Sequence, residues 1–583
     1  MSALTVWAPD AQSVSCHVRA GGHTEGLTVT PMVKGDDGWW SGPAADAGDE
    51  YAFEVDGAGP FPDPRSPWQP HGVHGFSRVF DASAFPWTDG VWEGRDARGA
   101  VTYELHVGTF TPAGTLDAIV GRQLRDLASR GIEMIELMPV AAFPGNRGWG
   151  YDGVALYAVH EAYGGPAALQ RFVDAAHAVG LGVCLDVVYN HLGPDGNYLS
   201  QFGPYFTDAH ETPWGWAVNL DQPGSGGMRG FIVDNALRWF EEFHIDALRL
   251  DAVHALVDDS PTHLLAELSE RTATLAERLG RPLSLVAESD LNQPDMVVPV
   301  AEGGMGMTAQ WADDVHHALH SYLTGERHGY YEDFGSIETL DKAYRKVFVH
   351  DGGLSSFRGK TWGAPVPDDM DRQRFVVFAS NHDQVGNRAI GDRPSVTLSP
   401  GAQAASLALI LLSPFTPMLF MGEEYGETRP FMFFTDHDEP LGSAVSEGRM
   451  SEFAGHGWEQ LYGGEVHVPD PQDRQTFMRS KVGPGLSAAG TAHADIEAWM
   501  SQVIAARALT LRDGAWERHP VSVTEAASRQ LTMHGPVRMH ANLSSTPMQV
   551  EGAPLAVFGQ VAASDDRFSL APDAVALVAL KED

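Results

Sequence analysis

The chain has 583 residues, 43% of them hydrophobic and 20% charged, proportions of globular domains that exclude disordered, collagenous and coiled-coil chains. At roughly 150 residues per domain this length suggests about four units, or fewer if one is an α/β barrel of about 250 residues or more. A formal charge of −38 does not supply the basic patches that nucleic acid or an anionic membrane surface needs, so neither is expected as a partner.

The first 80 residues read as β structure. Val14, Cys16 and Val18 alternate with Ser15 and His17, and Tyr51, Phe53 and Val55 alternate with Ala52 and Glu54. Period two with Gly and Pro punctuation predicts a small antiparallel sandwich, assigned here to residues 1–85. A proline-rich run at 61–70 and an aperiodic stretch after it place a linker at 86–100. The N-terminus has no basic segment followed by an apolar one, so no secretory signal is read. Cys16 and Cys184 lie far apart in apolar, strand-like contexts without metal-ligand spacing. Buried free thiols and a reducing, cytoplasmic location are the expectation.

From residue 101 short apolar runs alternate with helix-length segments. The runs are 101–110, 132–140, 182–190, 245–253, 283–288, 307–311, 375–380 and 415–421. Several are continuously apolar, as parallel strands buried on both faces are. Amphipathic segments at 116–130, 167–179 and 230–243 lie between them. Eight such repeats predict an α/β fold, a (β/α)8 TIM barrel over residues 101–500 with insertions. An open doubly wound sheet holds similar units, but no G-x-G-x-x-G follows the first run. The region 430–490 is irregular, helical spacing returns at 494–511, and β-like text from about 515 predicts a C-terminal β domain, 501–583.

Barrel enzymes carry their chemistry at the C-terminal ends of the strands. Four runs end there in polar clusters: Asp186 to His191, Arg249 to His254, Glu288 to Asp290, and Asn381 to Gln384. An acid inside an apolar strand is costly without a partner. One alone is explained by a structural ion pair; four at the same end of four strands point to a site. Carboxylates without a cysteine ligand suit a metal site or carboxylate acid–base catalysis. Glycoside hydrolysis uses two, one to protonate the leaving oxygen and one to attack the anomeric carbon or activate a water. Arg249 lies two residues before Asp251 and faces the same side of the strand, which favours the carboxylate form and suits a nucleophile. Glu288, in a less polar pocket, would stay protonated and act as the acid.

The four clusters closely resemble the four signature regions of the α-amylase superfamily, glycoside hydrolase family 13, in the right order from about residue 100 to 430. The resemblance implies a retaining double displacement, with Asp251 as nucleophile, Glu288 as general acid/base and Asp383 as the third carboxylate, orienting the sugar hydroxyls. It implies that Asp186, His191, Arg249 and His382 surround the sugar whose bond is cleaved. Tyr151, in Trp149-Gly150-Tyr151-Asp152, would be the aromatic platform beneath it. Many α-amylases follow the nucleophile with two small or apolar residues and Lys-His; here Ala252-Val253-His254-Ala255 lacks the lysine, which argues against an ordinary α-amylase. Asn190 matches a position that ligates calcium in some amylases, but no complementary acidic loop accompanies it. No metal and no cofactor are expected.

Finer likeness lies in the segments from Pro62 to Gly75, Tyr103 to Thr111, Asn190 to Tyr198, Asp313 to His320 and Met421 to Thr428. These segments are similar to those of the maltooligosyltrehalose trehalohydrolase family, over nearly the whole chain, with Trp68 standing where that family usually has Phe. The similarity implies a maltooligosaccharide-type substrate and cleavage of the α-1,4 bond next to its terminal α,α-1,1-linked unit, releasing trehalose. It also implies maltooligosyltrehalose synthase as a pathway partner, an immunoglobulin-like, carbohydrate-binding-module-like N-terminal sandwich and a C-terminal β-sandwich. Carried over, Arg249, Leu250, Asp251, Ala252, Val253 and His254 would line the cleft. So would Asp313, Asp314, Val315, His316 and His317, and His382, Asp383, Gln384, Val385, Gly386 and Asn387. Trp214 and Trp216 either stack sugars or pack a loop. Glu423 and Glu424 are candidates, by location only, for the 1,1-linked glucose. The alternatives are a glycogen branching or debranching enzyme and a non-catalytic glucan-binding homologue. The intact Asp251, Glu288 and Asp383 set speaks against the last.

Overall fold

The computed structural model describes residues 2–22, 26–453, 458, 462, 464, 466–483, 491–564 and 567–580. The eight apolar runs become the parallel strands of a closed barrel. They are β1 (Thr102–Leu105), β2 (Met134–Leu137), β3 (Gly182–Val187), β4 (Ala247–Leu250), β5 (Ser284–Ala287), β6 (Ala309–Trp311), β7 (Phe375–Phe378) and β8 (Thr416–Phe420). Consecutive strands pair, and β8 closes on β1 with Leu419 opposite Tyr103 and Phe420 opposite Glu104. The strands are shorter than the apolar runs because burial continues past their ends, as at Val188 and Tyr189 after β3.

Side chains alternate along each strand, and the barrel interior sorts by height. Its lower part is apolar: Met134, Cys184, Ala247, Val286, Ala309, Val376 and Met418 pack there. Toward the C-terminal ends the inward positions become Glu104, Glu136, Asp186 and Arg249, all buried. The outward positions Tyr103, Leu105, Leu185, Leu248 and Leu250 pack in the core between strands and helices. Helix Gly165–Ala178 offers that core one stripe, Leu169, Phe172, Val173 and Ala176. The helix expected at 116–130 is two, Leu116–Ile119 and Arg122–Ser129, broken at Gly121, whose φ of 96° suits only glycine. The region 430–490 is less irregular than its composition suggests, since it holds helices Leu441–Phe453 and Arg474–Arg479; residues 484–490 lie outside those described. Both cysteines are buried and free. No helix among the described residues is long and apolar enough to cross a membrane.

Antiparallel sheets of three and five strands precede the barrel, and sheets of five and three strands follow it. Helix Ala492–Arg507 runs through residue 500 and packs against helix Pro400–Leu411, with Trp499 Nε1 donating to the Ala404 carbonyl at 2.8 Å. The proline-rich segment ties the first sheets to the barrel: Arg65 Nη1 reaches the Tyr157 hydroxyl and Asp234 at 2.9 Å each. Trp68 Nε1 donates to Glu161 at 2.6 Å, a bond a Phe does not form.

Residues 86–100 are strapped across the N-terminal end of the barrel. The buried His177 imidazole lies 2.8 Å from Asp89 and 3.0 Å from Asp246, and Trp92 stacks on it while donating to Asp246 at 2.8 Å. Trp87 stacks on His244, which also meets Asp89. Burial opposes charge on His177, but hydrogen bonds to Asp246 and Asp89 outweigh it and hold its pKa above the ordinary value. Burial likewise opposes charge on Asp89, yet its two histidine partners bring it down to about 2. The stabilisation from His177 is therefore complete below about pH 6.5 and is lost as pH rises through its higher folded value; that from Asp89 is lost only as pH falls toward about 2. His177→Ala, which takes the shared histidine from two buried carboxylates but leaves Asp89 with His244 and Asp246 with Arg281, is expected to cost about 1–3 kcal/mol. Thermal melts at pH 6 and pH 9 check this: the variant's deficit is larger at pH 6.

Candidate active site

Arg249, carried inward by β4 and fully buried, is the centre of the site. Its Nη1 donates to both Asp186 oxygens at 3.0 Å and to Asp251 Oδ1 at 2.8 Å, its Nη2 lies 3.8 Å from Glu288, and the guanidinium stacks over Trp311 at 4.2 Å. Asp251 stands just beyond the end of β4. Asn190 Nδ2 donates to its Oδ2 at 2.9 Å and to its carbonyl at 2.7 Å. Ala252 then takes φ 38° and ψ 50°, a left-handed conformation that costs a non-glycine residue about 1–2 kcal/mol and is the kind of strain functional sites store. That turn aims the Ala252 N–H at Glu288 Oε2, and the Val253 N–H meets the Glu288 carbonyl at 3.0 Å. The chain after one carboxylate thus holds the other.

The surroundings of Glu288 set its acidity. Burial, and then the charges of Asp251, Asp383 and Asp313 working against Arg249, push Glu288 up to about 8. It is protonated at neutral pH, 3.8 Å from the same guanidinium that binds Asp251 at 2.8 Å. Burial also raises Asp186 to about 6 against the pull of Arg249, and raises Asp313 to about 6. Asp383 opens the helix His382–Gly386 and is held by Asn387 Nδ2 at 3.0 Å. The Tyr151 hydroxyl donates to Asp186 at 2.6 Å and lies 2.8 Å from His382 Nε2, with the two rings stacked at 5.2 Å. A protonated acid, a carboxylate fixed on a cation and a third, solvent-facing carboxylate are the parts needed for acid-assisted nucleophilic displacement at an acetal carbon.

These groups open into a cavity of about 840 Å³. Of the residues expected at the site, Tyr151, His191, Asp251, Ala252, His254, Glu288, His382, Asp383 and Asn387 line it, together with Trp214 and Trp216. Asp186 and Arg249 lie beneath, acting through Tyr151 and Asp251. The other expected residues do not line it. Leu250 faces outward because it alternates with Arg249, and Val253 is buried in the core. In the helix Asp313–Thr324 successive residues turn by about 100°, so five in a row do not share a face. Asp313 stays near Glu288. Asp314 instead accepts the backbone N–H groups of Val349 and His350 at 2.7 and 2.9 Å. Val315 is buried in the core. His316 meets the Ala379 carbonyl at 2.8 Å, and His317 packs on Tyr330 and Phe334. Gln384 and the buried Val385 and Gly386 build the helix behind Asp383. At Gly386 a Cβ would lie 2.1 Å from the Trp149 ring, so glycine is required for that close approach.

Glu423 and Glu424 are not in the cleft. Glu424 accepts from the Tyr103 hydroxyl at 2.9 Å, and Glu423 lines a separate cavity of about 50 Å³ beside Arg393 and Ser380. Lining residues that sequence reasoning left out include Phe206, which opens the strand Phe206–Thr212, and Phe433, from a loop; Asn197 and Trp149 were visible in the segments of His191 and Tyr151. His210, Asp221 and Asp259 place ligand atoms within 4.8 Å of one another, but His210 and Asp221 already bond each other at 2.7 Å.

The alpha-amylase catalytic-domain family model matches residues 84–222. Over 99% of both chains the sequence is 48% identical to the malto-oligosyltrehalose trehalohydrolase of Arthrobacter ramosus. It is 51% identical to that of Rhizobium sp. (strain M-11), over 83% of this chain and 81% of the relative. The chain belongs to the malto-oligosyltrehalose trehalohydrolase family. Among solved structures it resembles a Salmonella typhimurium protein described as an alpha amylase, with a TM-score of 0.86 and 35% identity, covering 99% of this chain and 97% of that one.

In this trehalohydrolase-family chain the side of the cleft beyond Glu288 carries no lysine after the nucleophile. His254 occupies that side, 3.4 Å from the Asp290 N–H, and Arg358 pairs with Asp290 while stacking on Trp362 at 4.3 Å. On the opposite wall Trp214 lies flat on His191, centroids 4.3 Å apart, and remains half-exposed. Trp214→Ala is expected to raise KM by about 3- to 10-fold with kcat little changed, the scale of one aromatic contact of about 0.5–1.5 kcal/mol. Steady-state kinetics beside a thermal melt distinguish this from loop packing, which would lower Tm and leave KM alone.

Proposed function

We propose that this protein is a retaining glycoside hydrolase that cleaves the α-1,4 bond next to the α,α-1,1-linked end of maltooligosyltrehalose and releases trehalose. One observation carries the mechanism: a single guanidinium, Arg249, binds Asp251 at 2.8 Å and stands 3.8 Å from the neighbouring Glu288, whose pKa burial raises to about 8. In the first step an Asp251 oxygen attacks the anomeric carbon. Glu288 gives its proton to the departing oxygen, and trehalose leaves with a free hydroxyl. In the second step the Glu288 carboxylate takes a proton from water. The water oxygen attacks the same carbon and breaks the ester to Asp251, giving a glucan whose new reducing end keeps the α configuration. Asp383 binds hydroxyls of the reacting sugar over Tyr151, beside the His382 ring.

The family membership supports the substrate, since the related proteins carry it in their name. The 1,1-linkage must already be present, so a reaction converting a reducing-end α-1,4 unit into an α,α-1,1 unit precedes this one, the chemistry of a maltooligosyltrehalose synthase. The catalytic unit is the barrel, 101–500, between an N-terminal sandwich at 1–85 with its linker at 86–100 and a C-terminal β domain at 501–583. A reducing cytoplasmic setting suits the two buried thiols. Incubation with maltooligosyltrehalose and, separately, with maltooligosaccharide, followed by chromatography, tests the reading. Trehalose as the main product from the first supports it; branched glucan, or maltose alone, refutes it.

A further inference from the structure

Glu104 ends in the barrel interior from β1, 1% exposed, directly behind His382. Both of its oxygens engage that residue: Oε2 accepts the His382 backbone N–H at 2.9 Å, and Oε1 lies 2.5 Å from Nδ1. Across the ring, Nε2 lies 2.8 Å from the Tyr151 hydroxyl. That hydroxyl has one proton, and at 2.6 Å it goes to Asp186, which as a carboxylate only accepts. The Tyr151 oxygen therefore accepts from Nε2–H, while Glu104 accepts from Nδ1–H. Both ring nitrogens donate, which a neutral imidazole does not do in either tautomer.

We propose that Glu104 is a positioning residue of the glycosidase site, holding His382 as an imidazolium whose plane is fixed at both nitrogens beside Asp383. The inference rests on reading the cleft as that site. It places a fixed positive charge beside Asp383 and the reacting sugar. The groups facing His382 come from several elements. Glu104 approaches from β1, with Glu136 of β2 behind it. Asp186 of β3 acts through Tyr151, and Arg249 projects from β4. Trp311 of β6 has its ring 6.2 Å away, the Trp149 ring lies 5.6 Å away edge-on, and Asp383 Oδ1 is 3.7 Å from Nε2. Burial and Arg249 oppose the charge on the ring. Glu104 and Asp383 outweigh them and raise His382 to about 9, above the value of about 8 for Glu288. Without the Glu104 charge, burial and Arg249 pull the value of the ring down.

Glu104→Gln is accordingly expected to move the alkaline limb of kcat/KM at least about one pH unit lower, so that its deficit is about tenfold greater at pH 8 than at pH 6. Glu104→Asp, which keeps the charge, is expected to restore most of the limb. A deficit that is uniform in pH, or none at all, would overturn the proposal. A readout free of substrate accompanies it: NMR of protein labelled at histidine, with the His382 signal assigned by its loss in His382→Asn. The ring is expected to stay an imidazolium past pH 8 in the wild type and to titrate earlier in Glu104→Gln. A neutral His382 ring at pH 7 in the wild type overturns the proposal even if the variant does not fold. A charged ring in a protein that hydrolyses no glucan would count against the function proposed above and leave this inference standing.

Discussion

Glu288→Gln is expected to lower kcat on maltooligosyltrehalose by about 10³-fold, within the range a positioned general acid supplies, while KM changes little. The amide keeps the size of the side chain and can still accept the Ala252 N–H, so the turn after Asp251 is preserved. What is lost is the proton for the leaving oxygen. The deficit should shrink sharply on a glycosyl fluoride, whose leaving group needs no protonation, and steady-state kinetics on both substrates checks this. Near-normal turnover of the natural glucan would remove Glu288 from the role. The same assignment fixes the sign of the wild-type pH profile. The acid form is required, and burial raises Glu288 to about 8, so kcat/KM falls as pH climbs through that value.

Arg249→Met is expected to have the second large effect, on stability and activity together. The guanidinium neutralises Asp186 and Asp251 and faces Glu288, and all of it is out of water. Removing one partner of a buried ion pair costs about 3–5 kcal/mol, and here the acids left behind also repel one another. Urea unfolding should show that loss, and turnover should fall below detection because Asp251 is no longer held. Arg249→Lys is expected to recover part of the stability but little of the activity, since an ammonium does not span Asp186 and Asp251 in the fixed plane of a guanidinium. A methionine variant as stable and active as the wild type would contradict the arrangement.

The barrel was legible because a buried parallel strand leaves a continuous apolar run, and its chemistry was legible because Asp186, Asp251 and Glu288 interrupt those runs at one end. Segments read as blocks fared differently. A five-residue stretch such as Asp313 to His317 is contiguous in sequence, but its helix distributes it around an axis, so Asp314 and His316 serve the core while Asp313 stays near Glu288 without lining the cavity. The same alternation sends Leu250 outward next to Arg249. Gly121 breaks a helix that apolar periodicity alone reads as continuous, since periodicity carries no record of a left-handed backbone. Glu104 was within reach of the argument used for the other acids, being an inward acid in an apolar strand. What the sequence does not carry is its partner, His382, 278 positions away, which only closure of β8 on β1 brings beside it.

The central claim, a double displacement in which trehalose leaves from Glu288 and the glucan passes through Asp251, is tested most directly by proton NMR during the first minutes of hydrolysis of maltooligosyltrehalose. The account predicts free trehalose appearing together with the α-anomer of the new reducing end, ahead of mutarotation. The β-anomer appearing first, or products that leave the 1,1-linked unit attached to a longer glucan, would contradict it.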